Sequence, residues 1–325
     1  RDVARFGALL AGFPSSVPGV TVNRLCGSGL EAAIQANRAI AAGDAALVIA
    51  GGTESMSRAP WVLEKPPRAY PAANQTAWNT AIGWRMVNPR LRDDWTISNG
   101  ESAERLATIH GISRDEQDAF AARSHQRAAA AWADGRFDGE IVQAEGAELA
   151  RDEGIRDGST PESLAALQPA FVEGGTVTAG NSSPLSDGAG AVLIGTHDAL
   201  DRDPLARISG RGVAGNDPDV FGVAPVEAAN RALERAGRTW ADVDLVELNE
   251  AFASQSLACL RLWPEVDPDI VNVHGGALAI GHPLGASGAR ILGRAAHELA
   301  RRGSGVAVVA ICIGVGQGLA VVLER

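Results

Sequence analysis

Apolar residues recur along the chain in two spacings, and these set the expected elements. Residues 20–25 (VTVNRL) read as a short strand. Residues 30–42 keep a helical period that stops at Gly43-Asp44, and residues 46–50 (ALVIA) make the continuous run of a buried strand. The three predict a βαβ unit with Cys26 at its first turn.

The pattern changes from residue 56 to residue 183. This stretch holds prolines, polar loops, most of the tryptophans and two helical periods, 102–110 and 114–133, but no apolar β-run. It predicts an inserted subdomain of helices and loops. Beyond it come a strand at 189–194 and a helix at 226–236, with Pro225 near its start and Gly237 just past its end. A strand at 244–248 and an apolar helical stretch at 252–262 follow. A helix at 283–302 is stopped by Gly303, and strands are expected at 306–311 and 319–323.

A strand that delivers a cysteine and then glycines occurs twice, at Cys26-Gly27-Ser28-Gly29 and at Cys312-Ile313-Gly314-Val315-Gly316. The expected architecture is therefore α/β, with two pseudo-repeated βα halves. Residues 1–55 with 184–200 form the first half, 56–183 the insertion, and 201–325 the second half.

Composition narrows the function classes. The 325 residues suffice for such a protein, and 46% hydrophobic with 21% charged residues is a folded, soluble profile. A net charge of −10 with no dense Lys/Arg run argues against nucleic acid or an acidic membrane surface as a partner. No apolar run is long enough for a membrane span. Cys26, Cys259 and Cys312 are too few and too dispersed for a disulfide framework or a zinc site, which points to the cytoplasm. The chain opens at Arg1-Asp2-Val3 without methionine, so a missing N-terminal piece is expected.

Three residues stand out chemically. Cys26, between a strand and a helix start, faces unsatisfied N–H groups and the positive end of a helix dipole, which favour a thiolate. On position alone it reads equally as a small buried hydrophobe. His282, just ahead of Pro283 and among glycines, is placed to take a thiol proton or polarise a carbonyl, or simply to hydrogen-bond backbone. Cys312 could act as acid and base toward a carbon acid, or be core. Cys259, in an apolar helix, reads as core.

Together these segments resemble the thiolase family. The segment Val22-Asn23-Arg24-Leu25-Cys26-Gly27-Ser28-Gly29-Leu30 is similar to the family's nucleophile segment, and Gly51-Gly52-Thr53-Glu54-Ser55-Met56-Ser57 follows it as it does there. Asn249-Glu250-Ala251-Phe252, Gly281-His282-Pro283 and Cys312-Ile313-Gly314-Val315-Gly316-Gln317-Gly318 look like the other catalytic loops, in family order. The resemblance implies a layered αβαβα fold and transfer of an acyl group between Cys26 and CoA. It implies His282 as the activator of Cys26 and Cys312 as the acid and base at the α-carbon. The N–H groups of Cys26 and Gly314 would form one oxyanion hole, and Asn249, through a water, would join His282 in the other. CoA would be a substrate, held by Arg156, Ser163 and Ser183 of the insertion. No tightly bound cofactor or metal is implied, and a homodimer or homotetramer is.

Two departures bear on the substrate. By resemblance about 60 residues should precede Arg1, roughly the length of a βα unit. Ser98-Asn99 stand where biosynthetic members carry a His-Met pair. The opening Arg1–Arg5, Ala81-Ile82-Gly83-Trp84-Arg85 and the Cys312 loop look more like the degradative 3-oxoadipyl-CoA type, for which Arg85 is a candidate cation or simply a structural arginine. A related ketoacyl synthase would replace the terminal cysteine with histidine, against Cys312. A non-catalytic lipid carrier of the same fold would lack one of Cys26, Asn249, His282 and Cys312.

Overall fold

The computed structural model describes residues 2–144, 146 and 148–325. Its helices are α1 (Val3–Leu10), α2 (Ser28–Ala42), α3 (Asn99–Ile109), α4 (Arg114–Ala133), α5 (Pro161–Ala165), α6 (Ala224–Ala236), α7 (Ala253–Leu262), α8 (Ala277–Ile280) and α9 (Leu284–Arg302). The strands are β1 (Leu47–Ser55), β2 (Trp61–Leu63), β3 (Ala77–Asn79), β4 (Asp187–Gly195), β5 (Arg207–Gly215), β6 (Leu245–Leu248), β7 (Val306–Ile313) and β8 (Gln317–Glu324).

The architecture is layered α/β. The order β5-β8-β7-β6 makes a four-stranded sheet in which β7 runs parallel to β6 and antiparallel to β8. Every residue of β7 (VAVVAICI) is buried because both faces are covered. Ala307, Val309, Ile311 and Ile313 pack with Leu30 and Ile34 of α2 and with Ile291, Leu292 and Leu299 of α9. Val306, Val308 and Ala310 pack with Ala228, Ala232 and Leu233 of α6 and Cys259 of α7. On the far side of α2 and α9, β1 and β4 pair antiparallel, from Leu47 opposite Gly195 to Ser55 opposite Asp187. The outer face of that pair carries Leu47, Ile49 and Leu193, all exposed.

Glycines let this sandwich close. A Cβ on Gly288 of α9 would stand 2.3 Å from the Leu30 nitrogen, and one on Gly52 of β1 only 1.8 Å from the Gly285 carbonyl oxygen. The helices and the strand meet backbone to backbone, so larger residues would force them apart.

Because β1 and β4 pair where the chain leaves and returns, residues 56–186 form an excursion from this core. It holds the β2–β3 hairpin, α3, α4 and α5. Capping boxes start its long helices, Ser98 with Glu101 for α3 and Ser113 with Glu116 for α4. The first box begins α3 three residues before the apolar period suggested.

Residues 20–25 are not a strand. Residues 20–24 are irregular and Leu25–Gly27 form one 3-10 turn into α2. A strand needs a ladder partner, and no described strand lies beside this run. Strand β5 was hidden in the sequence by Gly210 and Gly212. A Cβ on either would stand 2.1 or 1.7 Å from carbonyl oxygens of Ala232 and Ala228, so α6 lies directly on that strand.

Candidate active site

Cys26 owes its place to a strained turn. Leu25 has φ 48°, the left-handed region that a branched residue enters at a cost. Ser28 locks the turn, accepting from the Arg24 N–H at 2.9 Å and donating to the Leu25 carbonyl at 2.7 Å. The sulfur is 8% exposed and faces two backbone N–H groups, those of Gly314 and of Cys26 itself. Both favour a thiolate, as expected from the sequence, but burial outweighs them. Desolvation, with a smaller contribution from Glu54, pushes the thiol up to about 11. The resting group is a thiol, which corrects the expectation of a depressed pKa.

The second cysteine turn packs on the first. A Cβ on Gly27 would stand 2.5 Å from the Ile313 side chain, so only glycine lets the two turns meet this closely. Cys312 lies inside β7, against Ala251 and Phe252. Burial, together with the proximity of Cys26 and Cys259, holds its thiol well above the usual range. Past Gly314 the chain reverses through Val315 at φ 68° and Gly316 at φ 76°. That reversal aims the Gly314 N–H at Cys26.

Asn249 leaves the end of β6, its N–H donating to the Ala310 carbonyl at 2.9 Å. Its amide nitrogen is 3.4 Å from His282 Nε2. On the other side of the ring, His282 Nδ1 is 2.6 Å from Ser287 Oγ, which donates its single proton to the Pro283 carbonyl at 3.0 Å. His282 Nδ1–H must then donate to Ser287, leaving the Nε2 lone pair toward Asn249; the tautomer follows from this network. Burial, with the nearby Arg290 charge, holds the imidazole down at about 3. His282 is therefore neutral throughout the physiological range, with its basic nitrogen turned into the site. Asn249 Oδ1 is buried without a partner among the described residues.

Glu250, next to Asn249, has a supporting part. Its buried carboxyl accepts from Ser124 Oγ at 2.6 Å, Asn272 Nδ2 at 2.7 Å and the Leu278 N–H at 3.2 Å. It thereby ties α4 and α8 to the loop carrying Asn249. Ser186 Oγ accepts from the His282 N–H at 3.0 Å. Sequence reasoning missed Ser186, Ser287 and Leu25. Ser287, one turn along the proline-led helix from His282, was the one with a readable signal.

The insertion residues are arranged differently. Arg156 is exposed and forms no ion pair among the described residues, while its N–H donates to His125 Nδ1 at 3.2 Å. Ser163 is the N3 partner of the N-cap Thr160 in the capping box of α5, its hydroxyl donating to the Thr160 carbonyl at 2.8 Å. The Ser183 N–H donates to the Ala251 carbonyl at 3.0 Å, which pins this loop to the Asn249 segment. Arg85 lies on an exposed loop and donates to the Gly83 carbonyl at 3.2 Å. Cys259 is core, as expected: it donates to the Gly222 carbonyl at 3.3 Å, and burial pushes its thiol up to about 12. No helix among the described residues is long and apolar enough to cross a membrane.

Comparison with known proteins agrees with this geometry. The family models "Thiolase, N-terminal domain" and "Thiolase, C-terminal domain" match residues 1–198 and 202–325. The chain is 48% identical to the 3-oxoadipyl-CoA/3-oxo-5,6-dehydrosuberyl-CoA thiolase of Escherichia coli K12, over all of this chain and 84% of that protein. It is 46% identical to the beta-ketoadipyl-CoA thiolase of Pseudomonas putida, with the same coverage. Among solved structures, human mitochondrial 3-ketoacyl-CoA thiolase in complex with CoA superposes with a TM-score of 0.92 at 41% identity, over 99% of this chain and 82% of that one. With the two family models together matching nearly all of this chain and a relative 48% identical over its whole length, this chain belongs to the thiolase family and is an acyltransferase.

Proposed function

We propose that the chain cleaves 3-oxoadipyl-CoA with CoA, giving acetyl-CoA and a dicarboxylic acyl-CoA, through an acyl thioester on Cys26. The observation that carries the reading is the pairing of two buried thiols with a neutral histidine whose Nε2 lone pair faces the site. Thiols held this high need a base, and His282 is the group available to take the Cys26 proton.

The Cys26 sulfur adds to the 3-oxo carbon, and the N–H groups of Cys26 and Gly314 receive the oxyanion. A donor of this kind is worth roughly 3–4 kcal/mol in the transition state. Collapse breaks the C2–C3 bond, and its electron pair is protonated at C2 by Cys312, releasing acetyl-CoA. The Cys312 thiolate then takes the proton of incoming CoA. The CoA thiolate attacks the acyl carbon on Cys26 and the sulfur of Cys26 leaves. His282 and Asn249 stabilise the negative charge on the thioester oxygen of the departing acetyl-CoA enolate. Arg156, Ser163 and Ser183 contact CoA, which is a substrate rather than a resident cofactor, and the working form is a homo-oligomer. The names of the relatives support the dicarboxylic substrate, with Arg85 the candidate partner for its distal carboxylate.

The test is thiolysis of a panel of 3-oxoacyl-CoAs, including 3-oxoadipyl-CoA, by the wild type and the Cys26→Ala variant. Mass spectrometry would look for the acyl adduct. A shortened acyl group on Cys26, turnover lost by at least about 10⁴-fold in the variant, and preference for 3-oxoadipyl-CoA are expected. Preference for an unbranched fatty acyl chain would overturn the substrate assignment.

A further inference from the structure

The loop that presents His282 rests on a cation. Gly281, just before the histidine, has φ 85° and ψ 165°, a region open essentially to glycine alone. Arg290, two turns into α9, reaches back beneath it. Its Nη2 donates to the Gly281 carbonyl at 2.8 Å, and its Nη1 lies 3.5 Å from the Ile280 carbonyl. Its Nε is sealed from solvent and has no hydrogen-bond partner among the described residues.

The charges around Arg290 come from several elements. Arg294 lies on the same helix, Glu247 on β6, and Asp152 and Glu140 on the insertion. Arg294 is already engaged, with Glu140 at 3.3 Å and over the Phe137 ring at 4.3 Å. Arg290 forms no ion pair at contact distance among the described residues and spends its donors on the two carbonyls. A half-buried cation that holds backbone rather than a carboxylate fixes geometry, since a carboxylate partner would satisfy its charge more fully.

We propose that Arg290 is a positioning residue for catalysis, clamping the Ile280 and Gly281 carbonyls and so fixing where His282 stands against Asn249. The clamp rests on the reading of His282 as the catalytic base. It also reaches the insertion. Asp152 faces Arg290, and a Cβ on Gly154 would stand 2.5 Å from the Ala279 carbonyl oxygen, so the segment leading to Arg156 lies on the same loop. The guanidinium charge also disfavours protonation of His282.

The test compares Arg290→Met, Arg290→Lys and His282→Ala in the intact chain, with the 3-oxoacyl-CoA the wild type turns over fastest. Thiolysis is followed from pH 5 to 9 and folding by circular dichroism. Arg290→Met should stay folded, lose about 10²-fold in kcat and leave the KM for CoA within about threefold, because the base is misplaced while the CoA contacts survive. Its acidic limb should move up only slightly, because burial, the larger cause of the low His282 value, remains. Arg290→Lys should recover the profile and part of kcat. A wild-type rate and profile in Arg290→Met, a change in KM alone, or failure of both variants to fold would overturn the proposal. An inactive His282→Ala beside an unimpaired Arg290→Met would sink the clamp and leave the active site standing. A fully active His282→Ala would remove both.

Discussion

Asn249, His282 and Cys312 are 1%, 4% and 1% exposed, at the ends of strands and ahead of α9, with neighbours packed on every side. Arg156, Ser163 and Arg85, in the insertion, are exposed; Ser163 and Arg85 are held by short-range hydrogen bonds within their own loops, and Arg156 by its N–H to His125 of α4. The first group can be placed to a fraction of an ångström because moving one member means moving the core. The second can shift with little loss, as suits contacts to a large, flexible ligand. On the proposed reading, bond-making and ligand-holding would sit on parts of different stiffness, joined at a few points such as the Ser183–Ala251 hydrogen bond.

The sharpest break is expected at Cys312. Cys312→Ala should cost thiolysis about 10³-fold or more while an acyl adduct still forms on Cys26 from a simple acyl-CoA, since that step needs no carbon acid. Burst-phase mass spectrometry reads the adduct, and its absence would show that Cys312 also shapes the Cys26 site. Within the insertion, Arg156→Ala should raise the KM for CoA by about 3–10-fold and leave kcat nearly unchanged, as expected for one solvated cation contacting an anionic ligand. An equal fall in kcat would mean that the insertion takes part in positioning the chemistry.

The smallest effect compares a histidine from each part. His282 is held at about 3 and His125 at about 4, both by burial first and by Arg290 and Arg156 respectively. Both lie below the unfolded value of about 6.5, so the unfolded chain binds more protons under that pH. The stability they contribute is complete above about pH 6.5 and is lost as pH falls toward their folded values. Glu247, pushed up to about 8 by burial, acts in the opposite sense between about pH 4.5 and 8, offsetting part of the histidine slope and lowering stability as pH rises from 6.5 to 8. Thermal melts should show Tm falling between pH 6.5 and 4.5, with the fall lessened by a few degrees in His125→Gln. The same change in Tm across that window in wild type and His125→Gln would contradict the contribution of His125.

Much of the site was readable because its residues sit at element ends marked by glycine and proline. Cys26, His282 and Gly314 fall in such turns, Cys312 stands near the end of β7 just before one, and α4 was read residue for residue. Strand β5 escaped because its glycines answer to α6 rather than to the strand itself. The run at 20–25 has the composition of a strand, yet composition cannot supply the neighbour that a ladder requires.

The amino-acid order alone determined the α/β class, the two cysteine turns and the proposed reacting groups, because these depend on local period, local turn chemistry and side-chain type. Only the tertiary structure decided their protonation. Cys26 carries the N–H donors its position promised, but the burial that raises its thiol comes from residues far along the chain, and His282 is neutral because the packed core buries it and Arg290 lies nearby. Desolvation and long-range charge are properties of packing, and no local pattern encodes them.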